Sequence, residues 1–214
     1  FIFHNKQPHV KNIAKPSIYL SCIVLKLLIK LSDYVVILSK YTRECLPFNL
    51  QKYTDKYKNK FFYIPHRDFN HLYRSVRREP SPNALNMLFL GRADEYKNPE
   101  ILINVMNRLT DKPIYLTFEG KTDEETLKKL QNLNINNHVN FNCNFLSDES
   151  LAEEFAKYDL CIYPFGLESC LNSSSILLSF SLHKTVISTQ LSTLKDVPPD
   201  LYYGYSYDSK HDHE

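Results

Sequence analysis

Residues Leu88-Phe89-Leu90-Gly91-Arg92-Ala93-Asp94-Glu95-Tyr96-Lys97-Asn98-Pro99-Glu100 carry an apolar run into a Gly-Arg turn and on to a helix start. Asn98 suits an N-cap and Pro99 suits the first helical position. The stretch therefore predicts a helix whose opening turn presents backbone N–H groups and partial positive charge. Arg92 and Lys97 add two full charges beside it. A phosphate held there would receive directional guanidinium hydrogen bonds and an ammonium point charge. An ordinary strand-to-helix turn with two solvated cations has the same sequence, because one short motif is weak evidence.

Outward from this turn, short apolar runs alternate with amphipathic segments, as a succession of strands and helices requires. The runs are 87–90, 114–118, 139–141, 160–163 and 185–188, with helices expected over 99–109, 123–133, 148–157 and 173–182. Asn98-Pro99, Ser147-Asp148-Glu149 and Asn172 before Ser173 are start signals. The expected product is an α/β fold with a Rossmann-type parallel sheet flanked by helices, occupying 85–200. Its strands would deliver Gly91-Arg92, Gly120-Lys121, Phe145-Leu146 and Pro164-Phe165-Gly166 to one carboxyl edge, where such sheets bind ligands.

Residues 1–64 read as part of a second, similar unit. A strand at Ile2-Phe3 ends at His4-Asn5, an apolar helix covers about 16–31, a strand covers 34–38, a helix begins over Lys40 to Leu46, and a strand covers 61–64. Segment 65–84, with three prolines and four arginines and no apolar periodicity, is expected as a linker, and 201–214 as a tail. The helix near 17–31 is apolar almost all round, with Lys26 and Lys30 one turn apart, and is too short and too charged to span a bilayer. It is either a core helix with lysines reaching solvent or an interfacial helix on an anionic membrane surface.

Composition narrows the function classes. With 214 residues and 43% hydrophobic content the chain can bury a sizeable core, and 26 basic against 24 acidic residues give a net charge of +2. No global field marks nucleic acid as a partner, so any cationic site is local. Five cysteines, odd in number and without C-x-x-C spacing, fit packed thiols in a reducing cytoplasm. The chain opens at Phe1, inside an expected strand, and is expected to be part of a longer protein.

Five ordered landmarks then match a family. Phe89-Leu90-Gly91-Arg92 with Lys97-Asn98, Thr117-Phe118-Glu119-Gly120, Val139-Asn140-Phe141, Tyr158-Asp159-Leu160-Cys161-Ile162-Tyr163-Pro164 and Lys184-Thr185-Val186-Ile187 together resemble the carboxyl-terminal domain of the group 1 glycosyltransferases. Phe3-His4-Asn5 with Pro8-His9, Asp33-Tyr34-Val35-Val36 and Tyr63-Ile64-Pro65-His66 resemble the last part of that family's amino-terminal domain. The resemblance implies a GT-B architecture with a partial second Rossmann-like domain, and a retaining enzyme. It also implies a UDP- or GDP-sugar donor on the carboxyl-terminal domain and a glycan or lipid-linked acceptor on the other. Arg92 and Lys97 match the pair that grips the donor diphosphate and stabilises charge growing on the leaving group. No Asp-x-Asp motif occurs, so helix dipoles and these cations are expected to stand in for a metal, with no cofactor besides the donor. A role in surface polysaccharide assembly in the cytoplasm, peripheral to the inner face of the membrane, completes the expectation.

A second binding loop is expected from 163–175, where Asn172, Ser173 and Ser174 open a helix and offer donors to phosphate or sugar oxygens; a plain serine-rich N-cap is the other reading. Gly91, Gly120, Phe145 and Leu146 complete the donor-side residues. Many relatives carry two glutamates here with seven residues between them. This chain has Cys170 and Leu178 at those positions, with Glu168 out of register and His183 where a glycine is common. His4 matches a cleft histidine of related enzymes, where it either stabilises charge and orients acceptor or merely ends a strand. A noncatalytic module of the same architecture, binding nucleotide sugar or a partner protein, is the competing function. A dinucleotide-dependent oxidoreductase is excluded by the lack of G-x-G-x-x-G.

Overall fold

The computed structural model describes residues 2–3, 15–46, 48–73, 76, 79, 81–143, 146–167 and 170–206. Along the chain these form β1 (Ile2–Phe3), α1 (Lys15–Leu31), β2 (Val35–Ile37), α2 (Phe48–Lys56), β3 (Phe61–Tyr63), β4 (Leu85–Leu90), α3 (Pro99–Asn107), β5 (Ile114–Glu119), α4 (Glu124–Leu133), β6 (Val139–Asn142), α5 (Asp148–Ala156), β7 (Leu160–Tyr163), α6 (Ser174–Ser181), β8 (Thr185–Thr189), α7 (Ser192–Lys195) and β9 (Tyr202–Tyr205). Two compact units result, and neither is continuous in sequence. The first comprises Phe1–Arg67, Gly166–Ser173 and Gln190–Pro199, and the second Asp68–Phe165, Ser174–Thr189 and Asp200–Glu214.

The first unit is a three-stranded parallel sheet in the order β1-β2-β3. Val35 and Ile37 point to one face and pack with Leu25 and Ile29 of α1, Leu50 of α2, Leu46 and Leu171. The opposite face carries the row Ile2, Val36 and Phe62, level in register, with Tyr34 and Ile64 flanking it. Ile2 is 61% exposed, Tyr34 64%, Phe62 47% and Ile64 55%. Helix α1 behaves similarly: one stripe is buried, whereas Leu20, Val24, Leu27 and Leu31, at helical spacing, are exposed. No described helix is long and apolar enough to cross a membrane. The helix expected from Lys40 is instead a series of turns, with bonds such as Thr42 N–H to the Ser39 carbonyl, and α2 begins only at Phe48. Pro47 explains the shift, since it lacks an N–H and disfavours helix in the residue before it.

The second unit is a six-stranded, wholly parallel sheet in the order β6-β5-β4-β7-β8-β9. Its central strands are buried on both faces, as their unbroken apolar runs require. Leu88, Phe89, Leu116, Cys161, Tyr163 and Val186 form the middle layer, with Ile103, Met106, Leu130, Phe155 and Ile176 from the helices above and below. Asp123 and Ser147 cap α4 and α5 by accepting the Thr126 and Ser150 N–H groups. The stretch from Asp68, expected as linker, belongs to this unit because polar groups tie it down: the Phe69 N–H donates to Ser181 Oγ and the Tyr73 hydroxyl to Asp148, both at 2.9 Å. The span from 201 expected as a tail supplies β9 at Tyr202–Tyr205, whose aromatic residues suit a strand paired with β8.

Leu88 has no exposed surface at the centre of this sheet. Leu88→Ala is expected to lower unfolding free energy by about 2–5 kcal/mol in urea titration, and a loss below about 1 kcal/mol would contradict the packing described.

Candidate functional site

The strand order of the second unit decides where a ligand can enter. β4 lies beside β5 on one flank and β7 on the other, so the chain leaves these two neighbours in opposite directions and opens a crevice at their carboxyl ends. Register sets what meets there. Leu90 is level with Glu119, which puts Gly91 beside Gly120, and continuing the Leu88–Cys161 pairing brings Pro164 to the same height.

Both glycines are required by geometry. Gly91 has φ +99° and Gly120 φ +121°, values that a side chain strains. A Cβ on Gly120 would lie 3.0 Å from Gly91 Cα, and a Cβ on Gly91 would lie 2.9 Å from Lys97 Nζ and 3.8 Å from Ser175 Oγ. The Lys97 ammonium therefore occupies space that any other residue at 91 would take. Lys97 ends a short 3₁₀ turn over Glu95–Lys97 and is only 7% exposed. Its ammonium lies 5.9 Å from the ring centre of Phe89, 5.8 Å from Tyr96 and 6.0 Å from Phe165. Ring faces attract a cation, which offsets part of the cost of withdrawing it from water.

Arg92 is placed differently. Its side chain is 66% exposed and pairs with Asp94, with Nη2 donating to Oδ2 at 3.1 Å and Nε to the same oxygen at 3.3 Å. Asp94 is a partner that the motif did not reveal, although its spacing of two from Arg92 was on view. Asn98 also departs from expectation. It sits at the N-cap of α3 in the left-handed conformation, φ 50° and ψ 46°, and makes no side-chain cap. Its Nδ2 instead donates to the Pro164 carbonyl at 2.9 Å. Pro99 opens α3 as expected.

Beyond β7, Phe165 is buried, stacks on Tyr163 at 5.3 Å, and has its carbonyl held by Thr189 Oγ1 at 2.8 Å. Helix α6 opens at exposed Ser174, one residue later than expected. His183, at the end of α6, has φ +58°, which accounts for the glycine common at that position. Asn172 and Ser173 are buried and belong to the first unit. There the Asn172 side-chain oxygen accepts from Thr193 Oγ1 at 2.8 Å, Ser192 Oγ donates to the Leu171 carbonyl at 2.7 Å, and Ser39 Oγ donates to the Ser192 carbonyl at 2.7 Å. Cys170, at one of the two glutamate positions, is a buried thiol donating to the Asn172 carbonyl. Leu146 is half-buried. His4, Phe145 and Glu168 lie outside the described residues. Among the described residues, no three His, Cys, Asp or Glu side chains gather where they could hold a metal ion.

One buried carboxyl at this edge escaped the sequence reading because it ends an apolar run. Glu119 accepts from Asn142 Nδ2 at 2.7 Å and from the Tyr158 hydroxyl at 3.1 Å, joining the ends of β5 and β6 to the segment before β7. Burial raises its pKa above the ordinary carboxylate value, opposed by those two hydrogen bonds.

The family of glycosyl transferases group 1 matches residues 76–214. No curated protein matches the chain. Among solved structures, the chain is similar to sucrose-phosphate synthase from Thermosynechococcus elongatus at 18% identity, covering 93% of this chain and 52% of that one, with a TM-score of 0.69. It is similar to the catalytic domain of starch synthase IV from Arabidopsis thaliana, bound to ADP and acarbose, at 12% identity, 88% and 48% coverage and a TM-score of 0.65. Alr3699/HepE from Anabaena, in complex with UDP and glucose, matches at 13% identity, 96% and 57% coverage and a TM-score of 0.64. The chain thus spans about half the length of these structures.

Because its folded-state pKa is raised, Glu119 holds a proton in the native protein at pH values where the unfolded chain has released it. Its contribution to stability therefore declines as pH rises from the unfolded pKa through the folded one. Glu119→Gln keeps an oxygen facing Asn142 and Tyr158 and does not titrate. Urea unfolding at several pH values is expected to show the variant gaining on the parent from about pH 4 towards neutrality. A stability difference independent of pH would refute this.

Proposed function

The chain belongs to the group 1 glycosyl transferases, whose family match covers more than half its length, and from that premise we propose that it carries the nucleotide-sugar-binding part of a retaining, metal-independent enzyme. The reaction moves a sugar from a UDP- or GDP-sugar to a glycan or lipid-linked acceptor in surface polysaccharide assembly. The observation that carries the proposal is the Lys97 ammonium, seated over Gly91 at the mouth of the crevice between β4 and β7. As the bond from anomeric carbon to phosphate breaks, its electron pair stays on the diphosphate, and a cation already in place stabilises that charge without reorganising. Donor phosphates at this point also face the start of α6, with Ser174 exposed and Ser175 Oγ close to Gly91. The bound UDP of Alr3699/HepE and ADP of starch synthase IV support a nucleoside diphosphate as the leaving group. His4, which lies outside the described residues, enters the proposal on the family resemblance alone, to stabilise charge or orient the acceptor.

Arg92 enters this scheme by exchange. Its guanidinium fork is occupied by Asp94 in the described state, so gripping a phosphate means giving up that pair. Surface pairs of this kind are weak, about 0–1 kcal/mol, whereas a charge-assisted contact to phosphate is worth roughly 1.5–3 kcal/mol. The exchange is downhill. A peripheral site at the inner face of the cell membrane is supported by the exposed leucine and valine stripe of α1, with Lys30 beside it. The alternative, a noncatalytic module, draws on Cys170 and Leu178 at the glutamate positions.

Isothermal titration with UDP, GDP, ADP and their sugars, followed by donor hydrolysis in the same samples, tests the proposal. Lys97→Ala is expected to weaken nucleoside diphosphate binding about ten- to hundredfold. Arg92→Ala is expected to cost less, and Asp94→Asn to tighten binding by up to about fivefold. No binding across the panel would overturn the donor site, and binding without hydrolysis or transfer would favour the noncatalytic module.

A further inference from the structure

We infer that Asn98 is a positioning residue for Lys97, acting by tying the two lips of the crevice together. The inference rests on the reading of Lys97 as the cation that meets the donor diphosphate. Asn98 directly follows Lys97 on the β4 side, and its Nδ2 reaches across to the Pro164 carbonyl at 2.9 Å on the β7 side. The next residue, Phe165, is one of the three aromatic side chains around the Lys97 ammonium. Its own carbonyl is taken by Thr189 Oγ1 at 2.8 Å, from the carboxyl end of β8. Consecutive carbonyls, Pro164 and Phe165, are thereby held by side chains from opposite directions. The Phe165 ring has little freedom left, and Tyr96 stacks against it at 6.3 Å. Rings flank the ammonium, main chain carries the Phe165 ring, and Asn98 and Thr189 hold that main chain.

The choice of residue at 98 agrees with this role. A φ of 50° and ψ of 46° admit glycine, asparagine and aspartate with least strain. Only asparagine among these combines that backbone with a side-chain N–H able to reach a carbonyl. Capping α3, the ordinary reason for asparagine at a helix start, does not account for it, since the side chain makes no cap bond. Lys97 and the Pro164–Phe165 segment come from connections that diverge on either side of β4, and the Asn98 bond spans them beside the contacts of Tyr96 and Lys97 with the Phe165 ring.

Backbone and bond are separable by substitution. Asn98→Gly keeps the left-handed conformation and removes the donor; Asn98→Asp keeps it and turns a carboxylate towards the carbonyl. Titration of the full chain with UDP is expected to show about three- to tenfold weaker binding for Asn98→Gly and a larger loss for Asn98→Asp, whose added charge also repels the diphosphate. The decisive measurement is the double variant. If Asn98 works through Lys97, Asn98→Gly adds little to Lys97→Ala, whereas independent losses multiply. Multiplying losses, or unchanged affinity in Asn98→Gly and Asn98→Asp, overturn the inference while leaving the donor site intact. Loss of the folded state in both variants also overturns it, since the bond would then hold the fold and not the lysine. Failure of the parent to bind any nucleoside diphosphate, by contrast, removes the underlying functional reading.

Discussion

At the carboxyl edge of the second unit two main chains come closer than side chains permit, and the rest of the crevice is arranged around that approach. The in-register pairing of β4 and β5 leaves Gly91 and Gly120 adjacent, each with positive φ. Their loops turn sharply away, and the volume a methyl group would have filled over Gly91 is filled by an ammonium. The position of the one buried lysine among the described residues is thus decided by what residue 91 lacks.

The two cations of the opening motif differ in how they are held. Lys97 is enclosed, flanked by three ring faces and reached by solvent over a small part of its surface. Arg92 is set by an exposed pair with Asp94 that salt screens and a stronger anion displaces. A phosphate arriving here would meet one charge already oriented and recruit the other on arrival. On the proposed reading preorganisation and exchange divide the work, in keeping with the compact ammonium and forked guanidinium that would carry them.

Much of this was legible in the sequence because parallel strands buried on both faces write themselves as apolar runs. All five runs from 87 to 188 became strands, and the four intervening helices began within a residue of expectation. Gly91 follows the strand and Pro99 opens the helix, as expected. The misreadings share a cause: side chains that satisfy partners distant in sequence leave no periodic trace. Asn98 reads as a cap until Pro164, 66 residues on, is seen to take its N–H. The acceptor role of Asn172, whose side-chain oxygen serves Thr193, 21 residues on, is equally invisible in the sequence. Likewise the stretch from Asp68 lacks apolar rhythm and is anchored by polar bonds to Ser181 and Asp148. Pro47 was the missed local signal, and it moved a helix start to Phe48.

The bare side of the three-stranded sheet bears on how the chain behaves in a test tube. Ile2, Tyr34, Phe62 and Ile64 form an oily plane, and α1 adds a second with Leu20, Val24, Leu27 and Leu31. Exposed apolar side chains gathered on one face are a surface that tends to associate. Raising the concentration of the polypeptide is expected to drive association through these planes, because apolar area left in water is an aggregation liability.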